Sequence, residues 1–339
     1  VLSSRLPVRL AVVSAVLFAL AASIARVSLT LGDYPLALDQ VTAVLIGGGE
    51  AFHRTIVLEW RIPVALSTVV FGVLLGIGGA IFQSLTRNPL GSPDVIGFDA
   101  GSYTAVVVTI ILIGTRNYWS IAGVAMIGGL VTALVVYVLA YRRGIQGFRL
   151  IIVGIAVSAL LGSLNAYLIT RADITDAMTV GFWGAGSVSR VTWTSMVPTL
   201  IVAVFIVGAA ALLAEALKKL ELGDDSAVTH GLRPTPARLA LLVTGVATVA
   251  LVTAAAGPIG FVALAAPQLA RRLTRSAGVS LLASAAMGAA LLAAAYLLSL
   301  MIAQVYRSIP VGLITVCLGG IYLIWLLITE ARAHSGGRR

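Results

Sequence analysis

Long runs without a charged residue dominate the chain. Leu10–Ala25 is the first, then Ile62–Thr86, Val95–Thr115 (broken only by Asp99), Asn117–Tyr141, Leu150–Thr170 and Val191–Ala214. Two longer runs, Leu239–Ala270 and Ser276–Tyr306, precede a last one at Ser308–Thr329. Runs near 20 residues match the length an α-helix needs to cross a bilayer. Gly257-Pro258 and Pro267 interrupt the run Leu239–Ala270, because proline removes a donor and clashes with the preceding turn. That run splits into a full span ending near Ala256 and a short one at Ile259–Leu273. Its length of about 22 Å, at about 1.5 Å per residue, is short of the ~30 Å core, so it must be packed inside protein. The pattern predicts an all-α polytopic membrane protein of about ten transmembrane helices. Leu10–Ala25 has no A-x-A cleavage site after it and reads as a span, not a signal peptide.

Composition agrees: 59% of the 339 residues are apolar and 11% charged, with a mean hydropathy of +1.04. Soluble domains run nearer 45–50% apolar and about 25% charged. The single cysteine, Cys317, excludes a disulfide framework within this chain. The net charge of +10 follows membrane topology. With the N-terminus inside, 16 basic residues fall on the inner side, Arg5, Arg142, Arg143, Arg338 and Arg339 among them, and 7 outside. The positive-inside rule therefore puts both termini in the cytoplasm.

Three segments are not spans: Thr30–Trp60 outside, Arg171–Arg190 outside (read as a short surface helix), and the loop 218–238 inside. The acids separate transport mechanisms. Asp33, Asp39, Glu50, Glu59, Asp173 and Asp176 fall outside; Glu215, Glu221, Asp224, Asp225 and Glu330 lie at inner helix ends. Asp94 and Asp99 are placed at the inner start of the third span, which leaves no carboxylate near the midplane. An ion-driven carrier keeps one there. ATP is not bound by this chain either, since a phosphate-binding loop needs G-x-x-x-x-G-K-[ST] and Lys219, one of only two lysines, precedes Leu220. The expected energy source is a separate ATPase docked on 218–238.

The motifs Arg61-Ile-Pro, Gly76–Gln83, Asn88-Pro-Leu-Gly-Ser-Pro-Asp-Val-Ile-Gly97-Phe-Asp-Ala-Gly101, Leu222–Leu232, Gly257–Gln268 and Ile309-Pro-Val-Gly312 resemble, in order, those of the iron-siderophore/vitamin B12 (FecCD) ABC permeases. Asn88–Gly97 is similar to ferric-enterobactin-type subunits. The resemblance implies a type II ABC importer permease fold with an inverted repeat, halves 62–170 and 239–329, in a single domain 1–339. It implies a second permease subunit in a homo- or heterodimer, two ATP-binding subunits that hold ATP and Mg, and an extracytoplasmic substrate-binding protein. The chain itself is then no enzyme and binds no cofactor; its cargo is a ferric siderophore. Cobalamin or haem import and a stand-alone secondary carrier are the competing readings.

Site residues follow from the same resemblance. Leu222, Gly223, Asp224, Asp225, Ala227, His230 and Gly231 match the segment that couples to the ATPase, with Gly223 and Gly231 at turns and Ala227 as a small contact; a solvated, capped loop is the plainer reading. Asn88 and Leu90 match a cytoplasmic gate, or a helix stop. A second gate falls at Gln146-Gly147-Phe148, where the family's hydroxyl residues are missing. Arg61 and Arg307 match positions that dock the binding protein, or are arginines snorkelling at the interface. Asn165 lines the pathway or bonds a neighbouring helix. Gln268 stands where the family has a His and carries no predicted role. His53, His230 and His334 are too scattered for a metal site. The glycines at 72, 76, 78 and 79 predict close helix packing.

Overall fold

The computed structural model describes residues 8–94, 97–141 and 147–336, and those residues form helices joined by short connections, with no strand among them. The first apolar run is α1 (Val8–Ser28). The outer segment after it is more ordered than its polarity predicts. It holds α2 (Leu38–Leu45) and α3 (Ala51–Arg54), and α3 runs through a π-helical stretch (Thr55–Arg61) into α4 (Ile62–Thr86). Leu29, Leu36, Val41, Val44, Ile56 and Val57 close a small apolar cluster against Ala65, which gives this segment its own buried contacts. Arg87 ends α4 in the left-handed conformation, φ 50°.

Next come α5 (Phe98–Val108), prolonged by π-helical Thr109–Ile113, then α6 (Tyr118–Ala140) and α7 (Gly147–Arg171). The Asn117 side chain starts α6 by accepting from the N–H groups of Trp119 and Ser120 at 3.0 and 3.2 Å, the bonding that makes Asn a strong N-cap. The surface helix expected between Arg171 and Arg190 is α8 (Ile174–Gly184). It leads to α9 (Trp193–Leu212), α10 (Ala214–Glu221) and α11 (Asp224–Thr229). The long run that follows divides where proline predicts, into α12 (Pro234–Ala256) and α13 (Val262–Thr274). Last are α14 (Leu281–Ala303) and α15 (Val311–Gly336).

Seven of these helices are long and apolar enough to cross a membrane, and Phe98–Ile113 and Val311–Tyr322 are shorter apolar helices. With short α13, every predicted span has its helix. Of the residues carrying the charge bias, Arg5, Arg142, Arg143, Arg338 and Arg339 lie outside the described residues, as does Gln146 of the second gate.

The core is built around α4. A Cβ on Gly76 would lie 2.1 Å from the Ser284 carbonyl oxygen of α14, and one on Gly79 1.7 Å from that of Ala263 on α13. Glycine lets helix backbones approach this closely, which in lipid replaces the hydrophobic drive to associate. In α4's helix 78% of the apolar window is buried, against 17% for α7 and 22% for α1. The exposed faces of α6, α7 and α9, with Leu134, Ile155 and Phe205, are apolar, as a lipid-facing surface requires.

Candidate functional site

At the end of the bundle where α4 stops and α12 starts, α10 and α11 fold back against it. Leu217 and Leu220 of α10 and Ala227 of α11 pack against Ile77 and Ile81 of α4, Leu241 of α12 and Ala285 of α14. Gly223 (φ 108°) makes the bend between α10 and α11, and Gly231 (φ 75°) closes α11. Gly231 N–H bonds the Val228 carbonyl at 2.9 Å and Leu232 N–H that of Ala227 at 3.0 Å, the paired closure that needs a left-handed residue. Both glycines sit at turns, as expected from sequence.

The other residues of this segment divide by exposure. Leu222 and Val228 are exposed by 70% and 57%, and Asp225, His230 and Gly231 are exposed too. Ala227 is fully buried; it packs on the chain's own helices, so in this conformation it offers no surface contact. Asp224 is spent internally: it accepts from Arg238 on α12, and from Arg87 at 3.3 Å. Glu221 accepts from Ser84 Oγ at 2.8 Å and from Val279 N–H at 3.3 Å. These bonds tie α10 and α11 to the inner ends of α4, α12 and α14, beside a pocket of about 210 Å³ that Gln83, Asn88, Gln268 and Arg271 also line.

Of the two residues matched to a cytoplasmic gate, Asn88 lines that pocket. Asn88 Oδ1 accepts from Leu90 N–H at 2.9 Å, the local bonding that lets Asn end a helix. Leu90 is 49% exposed. Gln268, passed over at the sequence level, fastens this turn: its Nε2 donates to the Pro89 carbonyl at 2.7 Å and to Gln83 Oε1 at 3.2 Å. Gln83 in turn donates to the Leu264 carbonyl at 2.9 Å. The signal available in the sequence was an amide in each of two helices, Gln83 among the apolar residues of α4 and Gln268 in α13, three residues before Arg271.

At the opposite end of α4, the Arg61 guanidinium donates to the carbonyls of Leu29 at 2.7 Å and Tyr34 at 2.5 Å. A Cβ on Gly32 would sit 2.9 Å from Arg61 Nη2. Arg61 therefore pins the outer segment onto α4, while Arg307 stands exposed in the turn after α14. Asn165 is buried to 4% exposure, with its Oδ1 bonded to nothing; it faces the interior of the bundle.

Asp94 and Asp99 correct the sequence reading. Gly97 lies against Gly154 and Ser158, and Gly101 against Gly128 and Thr132, positions near the middle of α7 and α6. The connection from α4 to α5 thus climbs about half the depth of the bundle before α5 begins. Both carboxylates end up inside it, not at the inner start of a span. Asp99 Oδ1 accepts from Thr253 Oγ1 at 3.1 Å and Asp94 Oδ2 from Phe261 N–H at 3.1 Å. A scan for charge-free runs cannot see such a climb, because sequence position does not give depth where the chain is not helical. A carrier is thus no longer excluded by the lack of an interior carboxylate.

The profile of the FecCD transport family matches residues 15–329. The chain is 44% identical over 301 residues to the ferric enterobactin transport system permease protein FepG of Escherichia coli K12, covering 89% of this chain and 91% of that one. It is 32% identical to the iron(3+)-hydroxamate import system permease protein FhuG of Bacillus subtilis, over 94% of this chain and 96% of that one. Among solved structures, an inward-facing metal-chelate type ABC transporter superposes with a TM-score of 0.79 at 22% identity, over 94% of this chain and 99% of that one. At that identity the likeness shows the fold.

Proposed function

Because the chain belongs to the FecCD transport family, we propose that it is the permease subunit of an ABC importer carrying a ferric siderophore across the cytoplasmic membrane, driven by ATP hydrolysis in partner subunits. The observation that carries this reading is the 44% identity, over 89% of the chain, to a permease named for ferric enterobactin. The partners are a second permease subunit, two ATP-binding subunits that hold ATP and Mg, and an extracytoplasmic binding protein; the chain itself catalyses no reaction and binds no cofactor.

Within that reading the surface made by Leu222, Asp225, Val228, His230 and Gly231 meets the ATPase. Its support is the exposure of two apolar side chains on a segment anchored to α4, α12 and α14, so force applied there reaches α4 and α12 directly. Gly223, Asp224 and Ala227 hold that surface in shape. Asn88 and Leu90, secured by Gln268, close the inner end of the pathway. Arg307 meets the binding protein, and Arg61 keeps the outer segment in place beside it. Asn165 supports the pathway from within the bundle.

The excess of arginine and lysine on one set of connections orients the chain with both termini in the cytoplasm. Uptake of radiolabelled ferric enterobactin into a strain deleted for this gene tests the function. The deletion abolishes uptake and the gene restores it; unchanged uptake of this and of ferric hydroxamates in the deletion strain contradicts the reading.

A further inference from the structure

The helix break between α12 and α13 is gripped from both sides by acids of another part of the chain. Thr253 lies one turn before the break and gives its hydroxyl hydrogen to Asp99. Phe261 lies at its far end and gives its backbone N–H to Asp94. Thr253 is 1% exposed, so its bond is shielded from water. Phe261 has φ 75° and ψ −31°, a conformation L side chains rarely adopt, so something must hold it. The Asp94 bond is one restraint. The ring is another: a Cβ on Gly319 of α15 would lie 1.7 Å from Phe261 Cδ1.

The outer flank of the break is fixed separately, by Ser187 N–H to the Ala256 carbonyl at 2.7 Å. Asp94 belongs to the α4–α5 connection, itself a Pro/Gly break with Gly97 at φ 89°, and Asp99 to the first turn of α5 that follows it. Two broken segments, one in each half that the sequence suggests, are therefore bonded to each other inside the bundle. Neither acid takes part in an ion pair among the described residues, and Asp94 Oδ1 is buried without a partner. A buried acceptor is costly to leave unpaired, and retaining one here fits a group whose partners change during a cycle.

We infer that Asp94 and Asp99 form a two-point clasp tying the break before α5 to the break between α12 and α13, Asp94 through Phe261 and Asp99 through Thr253, so that the two breaks move together when the pathway opens and closes. The clasp rests on the importer reading for its role, and on the bonds to Thr253 and Phe261 for its existence. In it Asp94 acts as a positioning residue, setting the N-terminus of α13, the helix that carries Gln268 to the gate.

The test uses the whole complex with its ATPase subunits in lipid and reads two quantities. Asp94→Ala raises hydrogen exchange at amides 261–265 by about tenfold and lowers chelate transported per ATP hydrolysed several-fold. Asp94→Asn, whose carboxamide oxygen still accepts from Phe261, stays within about twofold of the parent in both. Should Asp94→Ala not assemble, Thr253→Val, which removes only the Asp99 bond, serves in its place and lowers transport per ATP in the same direction. Unchanged exchange in the Ala variant overturns the clasp, as does an Asn variant as impaired as the Ala one. Raised exchange with transport per ATP unchanged reduces the contact to a structural one and overturns its role. A parent complex that hydrolyses ATP yet moves no chelate instead defeats the importer reading, while the exchange measurement still decides the contact.

Discussion

Gln268→Leu leaves the Pro89 carbonyl and Gln83 Oε1 without the donor that Gln268 gives them. Losing such a partner costs about 1–3 kcal/mol where water cannot replace it. The variant is expected to keep its place in the membrane, to show faster hydrogen exchange at 87–91, and to import several-fold more slowly; parent-like exchange there would contradict the role of Gln268. Arg61 and Arg307 make opposite predictions. Arg61 is spent on two carbonyls of its own chain, so Arg61→Ala destabilises the outer segment to a similar extent at every salt concentration. Arg307 is exposed, and an exposed ion pair contributes about 0–1 kcal/mol and acts mainly on association rate. Arg307→Glu should therefore slow binding-protein docking in low salt and have little effect in high salt, as read by stopped-flow association. From sequence the two arginines look alike. What separates them is a loop folding back from residues 27 and 32 positions earlier, which no local pattern encodes.

The ten helices are legible from charge-free runs, and the α12–α13 break from Gly257-Pro258, because both rest on local rules of backbone hydrogen bonding. Facing is not legible in short elements. α11 has six residues, too few to display a period, and Ala227 proves to be its inward anchor. Ala227→Arg is thus expected to prevent accumulation of the folded chain, because it forces a long charged side chain into a closed apolar cluster. Val228→Arg is expected to leave accumulation intact and to abolish substrate-stimulated ATPase activity. Membrane abundance by immunoblot beside ATPase assays separates the two, and equal abundance of both variants would sink the distinction. The α4–α14 crossing gives a stricter case. Gly76→Val puts a branched side chain where even a Cβ meets the Ser284 carbonyl at 2.1 Å, and overpacking of this kind typically costs about 1–3 kcal/mol or more. Thermal unfolding in detergent should show a lower midpoint for this variant, whereas Gly123→Ala, in open space on α6, leaves it unchanged.

Across the whole molecule, α4 stands at the centre, α6, α7 and α9 turn apolar faces outward, and polar contacts concentrate in three places: the inner pocket, the outer collar under Arg61, and the interior clasp at Asp94 and Asp99. The arrangement suits a machine driven from its inner face, since α10 and α11 join the ends of α4, α12 and α14 through Ser84, Arg87, Arg238 and Val279. The energy source separates an ATP-driven importer from an ion-driven carrier, which would use the interior carboxylates for its coupling ion. The direct measurement is uptake of radiolabelled ferric enterobactin into liposomes holding the permease dimer and its ATPase subunits, with the binding protein outside and ATP enclosed. Accumulation that requires enclosed ATP, stops with vanadate and persists when proton and sodium gradients are collapsed is the predicted result. Accumulation driven by an ion gradient without ATP would contradict the account.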